Sequence, residues 1–483
     1  MTSTFVIDVI QTLTTEELKS FRTFLESPYF NHGTYAESVV PFFDTLQKSI
    51  QNHQIEQLGK EDVHQLLFPG KPFIESKIDK IMSETKRLLE RFLVSEKYHA
   101  ESNQQNQQLD LAIELRMRGL EHRYMQTMEK VRKMTATNHL FFEDALLLKY
   151  KLEREEQEWQ AIYHKYKGDI NIPNTIDALE YFYYFQKTWM LSHWLLLKKS
   201  AQTDGSPETR AENWHVPNEI LAQSPFLDIC WDIFQLYRSS SVPPESFYGL
   251  LAKIQLNEHN IQPKTLALLY GFLRNLCVLI VDSGEISIYP IFFEINKDNL
   301  SRGYFYKNGK LIPNSCLNIT TVAINAGEIA WATEFVEAHK ERIIDENESQ
   351  DFYRMNKAIC LFGNKKFQEA LDIIPFGSTY SYYHLMARRL ELKIYYELHS
   401  DLLDHKIDAF KMFISRAGKK VFSPQIHELF SNFVNFVRQL SQSHGPQARQ
   451  RSEVLIKRIS EKKVVAERMW LLEKARELGN KKA

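Results

Sequence analysis

The sequence predicts an all-α fold: an α-solenoid of stacked helix hairpins that follows an N-terminal helical domain. Three observations support this prediction. The 483 residues include only 17 Gly and 16 Pro, so long stretches lack the residues that interrupt helices. Apolar residues recur at three- and four-residue spacing along most of the chain. Small residues also recur on successive predicted helix pairs, which is typical of a repeat array.

Length and charge limit the protein classes that the chain fits. A chain of 56.9 kDa is too long for one compact core, so two to four domains or one repeat array are expected. Its 43% hydrophobic and 25% charged residues exclude a wholly disordered protein. The 60 basic and 61 acidic residues leave a formal net charge of −1, which gives no global attraction to nucleic acid or anionic membrane.

The lack of a recognisable targeting signal and the spacing of the cysteines predict a cytoplasmic protein. The first 13 residues lack a basic start and include Asp8, unlike a signal peptide. The apolar stretch Leu266–Val281 is interrupted by Arg274 and Asn275, so no membrane span is expected. The four cysteines are widely separated, which favours buried core thiols over a metal site or disulfides.

The first hundred residues predict an N-terminal helical domain, 1–100. Thr14 and Glu17 have the spacing of a capping box, and Pro28 ends the helix that it starts. A long amphipathic helix is expected over Phe73–Tyr98. The polar segment 101–108 then predicts a domain boundary.

The following segment, 101–202, is predicted to be a long-helix linker region or a set of early degenerate repeats. Its helices are expected at Leu109–Met134, Leu140–Lys167 and Ile176–Lys199. A polar loop is expected at 203–213, and helical repeats are expected over 214–442. Within those repeats, Asn308–Gly309 favours a type I′ turn and leaves a short hairpin or a simple turn open.

Three alanines define the predicted repeat. Ala332, Ala370 and Ala409 each open the expected packed face of a second helix, at intervals of 38 and 39 residues. Together with Leu361 and Phe367, these positions resemble the tetratricopeptide-type helical repeat, whose small and aromatic residues interlock adjacent helices. The period is longer than the 34 residues of that family, and its first-helix tryptophan is missing.

Two further motifs resemble N-terminal signatures of an uncharacterised bacterial family of helical-repeat proteins. They are the segments 24–31 (FLESPYFN) and 67–72 (LFPGKP). Each reads as a helix end followed by proline and a turn, which predicts a structural role. The resemblance implies a helical fold and brings no activity with it.

No motif predicts catalysis, a metal site or a cofactor. The segment Gly303–Lys310 has the wrong glycine spacing for a phosphate-binding loop. His427–Glu428 lacks the second histidine of a zinc peptidase, because Ser431 takes its position. An enzyme whose site is assembled from distant residues remains an alternative, and a pocket that holds a histidine near a carboxylate would favour it.

A DNA-binding regulator is the other alternative, because residues 61–93 read as a helix-turn-helix-like unit. Its basic residues alternate with acidic ones along the second helix, which leaves no basic face for phosphates. Nucleic acid is therefore not the expected partner.

The last segment, 443–483, is predicted to be a basic capping helix. Eleven basic residues against five acidic ones give it a charge of +6, and an apolar stripe suits one-sided packing on a solenoid. Membrane-surface or acidic-partner binding is the alternative role.

The expected function is that of a non-catalytic scaffold that binds a protein or peptide. First helices of the resembling family line a concave face, which implies a peptide-binding set on two adjacent first helices. These five basic residues, which we call the basic face, would hold an acidic peptide or its terminal carboxylate: Arg354, Lys357, Arg388, Arg389 and Lys393.

Overall fold

The computed structural model describes residues 4–137, 143–163, 170–201, 211–222, 224–343, 349–376, 381–421, 424–443, 448–462 and 464–480. The chain is 79% helical, with 23 helices and one two-stranded hairpin in this described part. The all-α prediction is therefore confirmed. Most of the polar loop predicted at 203–213 lies outside the described residues.

The chain forms two compact units, Met1–Asn138 and His139–Ala483. We call them unit 1 and unit 2. Each contains a hydrophobic core cluster of its own. The segment 101–108, where the sequence predicts a boundary, lies inside unit 1.

Unit 1 consists of short helices around one long helix. Its helices are α1 Phe5–Ile10, α2 Thr15–Glu26, α3 Ala36–Gln51, α4 Lys60–Leu67, α5 Glu75–His99, α6 Gln104–Met117 and α7 Glu121–Thr137. The first four helices contain the other aromatic and aliphatic residues of a core that centres on α5. Phe92 of α5 packs against Phe21 and Phe24 of α2, with ring centroids 5.1 and 5.7 Å apart.

Local signals set the helix ends in unit 1 as the sequence predicts. The side chain of Thr14 accepts a hydrogen bond from the Glu17 amide, and Glu17 in turn accepts one from the Thr14 amide. This confirms the capping box. Asn31, which follows Pro28, is buried and donates to the backbone carbonyls of Leu25 and Ala36. That amide fixes the turn between α2 and α3.

One predicted helix is wrong. The pattern over Leu109–Met134 predicts a single helix, but the chain turns between α6 and α7 at residues 118–120. Gly119 has a φ of +72°, a left-handed conformation that glycine adopts without steric cost. The apolar spacing continues across the turn, so periodicity alone could not reveal the break.

Unit 2 begins with two long helices and continues as a series of shorter ones. The first seven are α8 Glu143–Tyr163, α9 Ile172–Ala201, α10 Asn218–Ala222, α11 Pro225–Arg238, α12 Pro244–Asn257, α13 Pro263–Asp282 and α14 Tyr289–Ser301. The remaining nine are α15 Pro313–Asn325, α16 Ile329–Ala338, α17 Ser349–Gly363, α18 Phe367–Ile373, α19 Ser381–Glu397, α20 Leu403–Val421, α21 Pro424–Ser441, α22 Ala448–Glu461 and α23 Arg468–Asn480.

In the middle of unit 2, the first helix of a pair contacts the next two helices along the chain. Helix α15 packs on α16 and α17, and α17 packs on α18 and α19. Ala332 and Ala370, the alanines that define the predicted repeat, are fully buried, whereas Ala409 is partly exposed. A Cβ atom on Gly363 would lie 3.0 Å from the Ile324 side chain, so a small residue permits the close approach of α15 and α17.

The turn predicted at Asn308–Gly309 is a hairpin. Strands β1 Tyr306–Lys307 and β2 Lys310–Leu311 pair antiparallel across it. Both turn residues have positive φ, 52° at Asn308 and 76° at Gly309, as a type I′ turn requires. Of the two readings that the sequence left open, the structure has the hairpin.

Helix α13 is long and apolar. By length and composition alone it could cross a membrane, and it is the one helix in the described ranges that meets this criterion. In the structure 44% of its apolar window is buried, and it packs on α11, α12 and α14. Its Cys277 is a buried free thiol, as are the other three cysteines, which confirms the predicted core role.

The basic segment predicted as one capping helix is two helices, α22 and α23. The chain leaves α22 after Glu461 and passes through Glu467, which has a φ of +56°. Helix α23 then packs on α21 and α22. The prediction of a single helix failed because charged residues continue across the turn without glycine or proline.

Candidate peptide-binding site

The basic face lies on two helices that touch. Arg354 and Lys357 belong to α17, whereas Arg388, Arg389 and Lys393 belong to α19. The sequence prediction placed these residues on adjacent first helices, and the structure divides them into two groups that differ in burial.

Arg389 and Lys393 form the buried group, and they hold a carboxylate of the same chain. Glu467 accepts ion pairs from Arg389 Nε at 3.1 Å and from Lys393 Nζ at 2.8 Å. Burial alone would raise the pKa of Glu467, but the two cations outweigh it and lower that pKa to about 2. Burial lowers the pKa of Lys393 against the attraction of Glu467. The inner half of the basic face is therefore occupied by Glu467.

Arg354, Lys357 and Arg388 form the more exposed group. Arg354 donates to the backbone carbonyl of Ile373 over 3.1 Å, at the end of α18. Lys357 pairs with Glu337 at 3.0 Å, and Arg388 pairs with Glu391 at 3.2 Å. These three cations reach solvent while each also has a partner within unit 2.

The sequence did not reveal that the segment 467–480 lies beside the inner half of the basic face. Its Arg468 guanidinium donates to the backbone carbonyls of Ile459, Ser460, Lys462 and Asp282, over 2.6 to 3.1 Å. The last of these ties α23 to the end of α13, 186 residues earlier in the chain. Basic charge and apolar spacing in this segment predict a helix, but no local signal identifies carbonyl partners that far away.

The same segment is tied to α19 by a second set of polar contacts. Trp470 Nε1 donates to Glu397 over 2.7 Å, and Lys474 Nζ pairs with that carboxylate at 2.9 Å. Attraction from Glu397 and the neighbouring acidic residues raises the pKa of Lys474, although burial opposes this shift. These contacts fix the segment in position beside the inner half of the basic face.

Arg468 also lines the larger of two cavities described in unit 2, with a volume of about 1130 Å³. We call it the basic cavity. The carboxyl ends of α9, α11 and α13 form one side, and the turn between α22 and α23 forms the other. Its charged lining comprises five basic and two acidic side chains: Lys198, Lys199, Arg238, Lys462, Arg468, Asp282 and Glu461.

Helix ends explain part of this positive lining. Lys199 donates to the backbone carbonyl of Ser239 over 2.8 Å, just beyond the end of α11. A cation there offsets the partial negative charge of the helix terminus. Burial lowers the pKa of Lys199, so surrounding protein already disfavours its charged form. An anionic group bound in the cavity would stabilise the charged form of Lys199.

Asp282 is one of the two acidic residues in the described lining of the basic cavity. Its side chain is open to the water of the cavity, yet protein surrounds it on most sides. This recessed position raises its carboxyl pKa to about 6, although Arg468 acts to lower it.

A smaller cavity of about 440 Å³ lies between α21 and α22 and shares Glu461 and Lys462 with the basic cavity. The described linings of both cavities contain no histidine and no cysteine. No group of three histidine, cysteine, aspartate or glutamate side chains suitable for a metal ion occurs among the described residues.

The helix-turn-helix-like unit corresponds to α4 and α5 of unit 1. Lys77 of α5 lies over the Phe68 ring, and Arg87 pairs with Glu84 at 2.5 Å. Lys60 of α4 pairs with both Glu75 and Asp79 of α5. These cations are engaged with acidic or aromatic groups of the same unit, and acidic residues lie between them on α5.

Comparisons with known proteins found no match from which a function could be inferred. No family model matches the chain, and no curated protein or solved structure shows significant similarity to it.

Proposed function

We propose that the protein is a non-catalytic scaffold whose unit 2 binds an acidic segment of a partner protein. The observation that carries this proposal is the basic cavity, whose volume of about 1130 Å³ has five basic residues and two acidic ones in its described lining. Cavities of this size hold several side chains of a bound peptide. The excess of cations favours carboxylate side chains through charge-assisted hydrogen bonds.

The architecture we propose for unit 2 is the α-solenoid of stacked hairpins that the tetratricopeptide resemblance implies. The packing of α15, α17 and α19 on one another, with buried Ala332 and Ala370 on the intervening helices, supports it. Solenoids of this kind present extended concave surfaces that suit peptides.

The basic cavity is a better candidate for the acidic segment than the basic face. Arg389 and Lys393 already neutralise Glu467, so a second carboxylate there would have to displace a buried one. In the basic cavity Lys462 pairs with Glu428 at 4.0 Å, a distance at which attraction is weak in solvent. Arg354, Lys357 and Arg388 remain the alternative surface.

The direct test is fluorescence anisotropy with a fluorescein-labelled oligoglutamate peptide, titrated with the full chain. We expect saturable binding that weakens as salt rises. A peptide of alternating Glu and Lys is the matched probe of zero net charge, and it should bind far more weakly. Equal binding of the two peptides would contradict the proposal.

Two double variants then separate the candidate surfaces. Lys198→Glu with Lys462→Glu should weaken oligoglutamate binding by about a hundredfold, since each reversal is expected to cost about tenfold. Arg354→Glu with Arg388→Glu should leave binding unchanged, with helicity verified by circular dichroism. The opposite pattern would move the site to the basic face.

Arg449→Glu is the control for charge alone. Its side chain is 86% exposed on α22 and lies 3.8 Å from its partner Glu453. Because Arg449 is absent from the described lining of both cavities, its reversal should leave oligoglutamate binding unchanged. A loss of affinity equal to that of the cavity variants would show that the peptide binds by nonspecific charge attraction.

A further inference from the structure

The outer surface of α9 has an apolar stripe with coiled-coil spacing. Successive positions along it are separated by four and three residues alternately, which keeps them on one face of the helix. Six of its large apolar side chains are between 44% and 60% exposed: Ile172, Ile176, Leu179, Tyr183, Met190 and Leu197. We call these six residues the α9 stripe.

The opposite face of α9 already packs into unit 2. Phe185 and Leu195 are buried there, and Thr188 accepts a hydrogen bond from the Trp214 indole over 2.9 Å. Helices α8 and α11 pack on α9. The α9 stripe lies mainly away from these contacts, with its Tyr183 ring also 5.7 Å from the Trp214 ring. The His193 ring, at an intervening position, packs on Phe272 at 4.8 Å. Surface helices usually place polar residues on the side that the stripe occupies.

We propose that the α9 stripe is a self-association surface, on which α9 of a second copy of this chain packs antiparallel. A two-fold axis near residues 184 and 185 would place Leu197 beside Ile172 of the other copy, and Met190 beside Leu179. Tyr183 and Ile176 would face Gln186 and His193, the two remaining positions of the spacing.

Charge complementarity selects the antiparallel orientation. Glu180 and Lys187 both lie on the same flank of the stripe, one heptad apart. In an antiparallel pair equivalent flanks face each other, so Glu180 of each copy would meet Lys187 of the other. In a parallel pair that flank would instead meet the opposite flank of the other copy, Thr175, Phe182 and Trp189, which carries no charge.

The area of the α9 stripe is adequate for a dimer. Six half-exposed large side chains present on the order of 500 Å² of apolar surface, at the upper end of what a monomeric protein exposes in one patch. Two copies would remove on the order of 1,000 Å², about the minimum for a specific interface. This inference does not depend on the peptide site, because the α9 stripe and the basic cavity have no residue in common.

The test is the mass of the full chain in solution, by light scattering after size exclusion. At roughly 50 µM chain we expect twice the monomer mass of 56.9 kDa, because a micromolar dimer is mostly associated at that concentration. Met190→Glu should raise the dimer dissociation constant at least a hundredfold. A wild-type mass of 56.9 kDa under these conditions would overturn the proposal.

Met412→Glu is the matched control, since Met412 lies on α20 and is 50% exposed, against 60% for Met190. It should leave the dimer intact. Equal dissociation by both variants would show that the α9 stripe is not the interface. Circular dichroism should give wild-type helicity for both.

Two single charge variants test the orientation. Glu180→Lys and Lys187→Glu should each weaken self-association, since each places like charges across the interface. An equimolar mixture of the two should restore the dimer, because every facing pair is then of opposite charge. Failure of the mixture to restore it would overturn the antiparallel arrangement.

Discussion

Units 1 and 2 use charged residues in different ways. In unit 1 the ion pairs lie at the surface: Arg22 keeps 43% of its side chain exposed beside Asp44. In unit 2 the charged residues around the 467–480 segment are largely buried, with Lys474 8% exposed and its partner Glu397 15% exposed. Surface pairs contribute little to stability, whereas removing one partner of a buried pair leaves an uncompensated charge.

This difference separates the two units experimentally. Unit 1 depends on an apolar core and on helix-end signals within a few residues of one another, such as Thr14 and Glu17. Unit 2 depends in addition on polar contacts between residues far apart in the chain. All seven tryptophans lie after residue 138, so tryptophan fluorescence reports on unit 2 and leaves unit 1 to circular dichroism.

The largest expected effect is on the core of unit 1. Phe92→Ala removes a ring that contacts Phe21 and Phe24, and it should lower the free energy of unfolding of unit 1 by about 4 kcal/mol. Urea titration followed by circular dichroism should show this loss, while the tryptophan transition stays in place. Leu93→Ala, at a position 36% exposed, is the control with a small expected effect. A shift of the tryptophan transition would show that the two units do not unfold independently.

The next effect is on the buried charges of unit 2. Glu467→Gln leaves Arg389 and Lys393 facing each other without a carboxylate, and should cost about 3 kcal/mol at neutral pH. Tryptophan fluorescence during urea unfolding measures it. Glu453→Gln, at an exposed position, should have no effect.

The pH dependence of that loss sharpens the comparison. The cations hold the pKa of Glu467 at about 2 in the folded chain, against an ordinary value of 4.5. A carboxyl with a lowered folded pKa stabilises the protein above its unfolded pKa, and that contribution disappears as pH falls through the folded pKa. The stability difference between wild type and Glu467→Gln should therefore shrink between about pH 4.5 and pH 2. A difference that does not vary with pH would contradict the assignment.

A smaller effect on stability is expected when the planar guanidinium of Arg468 is replaced by another cationic group. Arg468→Lys should destabilise unit 2 by about 2 kcal/mol, because an ammonium group cannot reach all four carbonyls. The tryptophan transition measures this change. Arg476→Lys, at an exposed position on the same helix, should be neutral. Equal effects of the two variants would show that the carbonyl contacts contribute nothing.

The smallest effect belongs to a helix end in unit 1. Thr14→Ala removes the hydrogen bond to the Glu17 amide and should cost about 1 kcal/mol. Circular dichroism should register it without any change in tryptophan fluorescence. Thr23→Ala, in the interior of α2, should not reproduce the loss.

The sequence predicts what depends on neighbouring residues. The capping box at Thr14 and the turn at Asn308–Gly309 are confirmed because each needs only a few adjacent side chains. The break at Gly119 escaped prediction, since one glycine within a continuous apolar pattern does not by itself end a helix.

The candidate site depends on partners that sequence reading cannot supply. Arg389 and Lys393 were predicted to face an acidic ligand, and the carboxylate beside them belongs to Glu467, more than seventy residues later. The basic cavity likewise combines helix ends from residues 195–283 with residues 429–468. Such pairings follow from the tertiary fold and have no periodic or compositional signature.

The contacts of residues 467–480 affect how the protein is made. Translation proceeds at roughly 5 to 20 residues per second, and domains near the N-terminus fold first. Unit 1 is complete after residue 138, whereas Asp282, Arg389 and Lys393 must wait for Glu467 and Arg468 to leave the ribosome. For an interval on the order of ten seconds, the growing chain therefore carries Arg389 and Lys393 without the carboxylate that they pair with in the folded protein. Unit 2 therefore cannot complete these polar contacts until residues 467 and 468 have been synthesised.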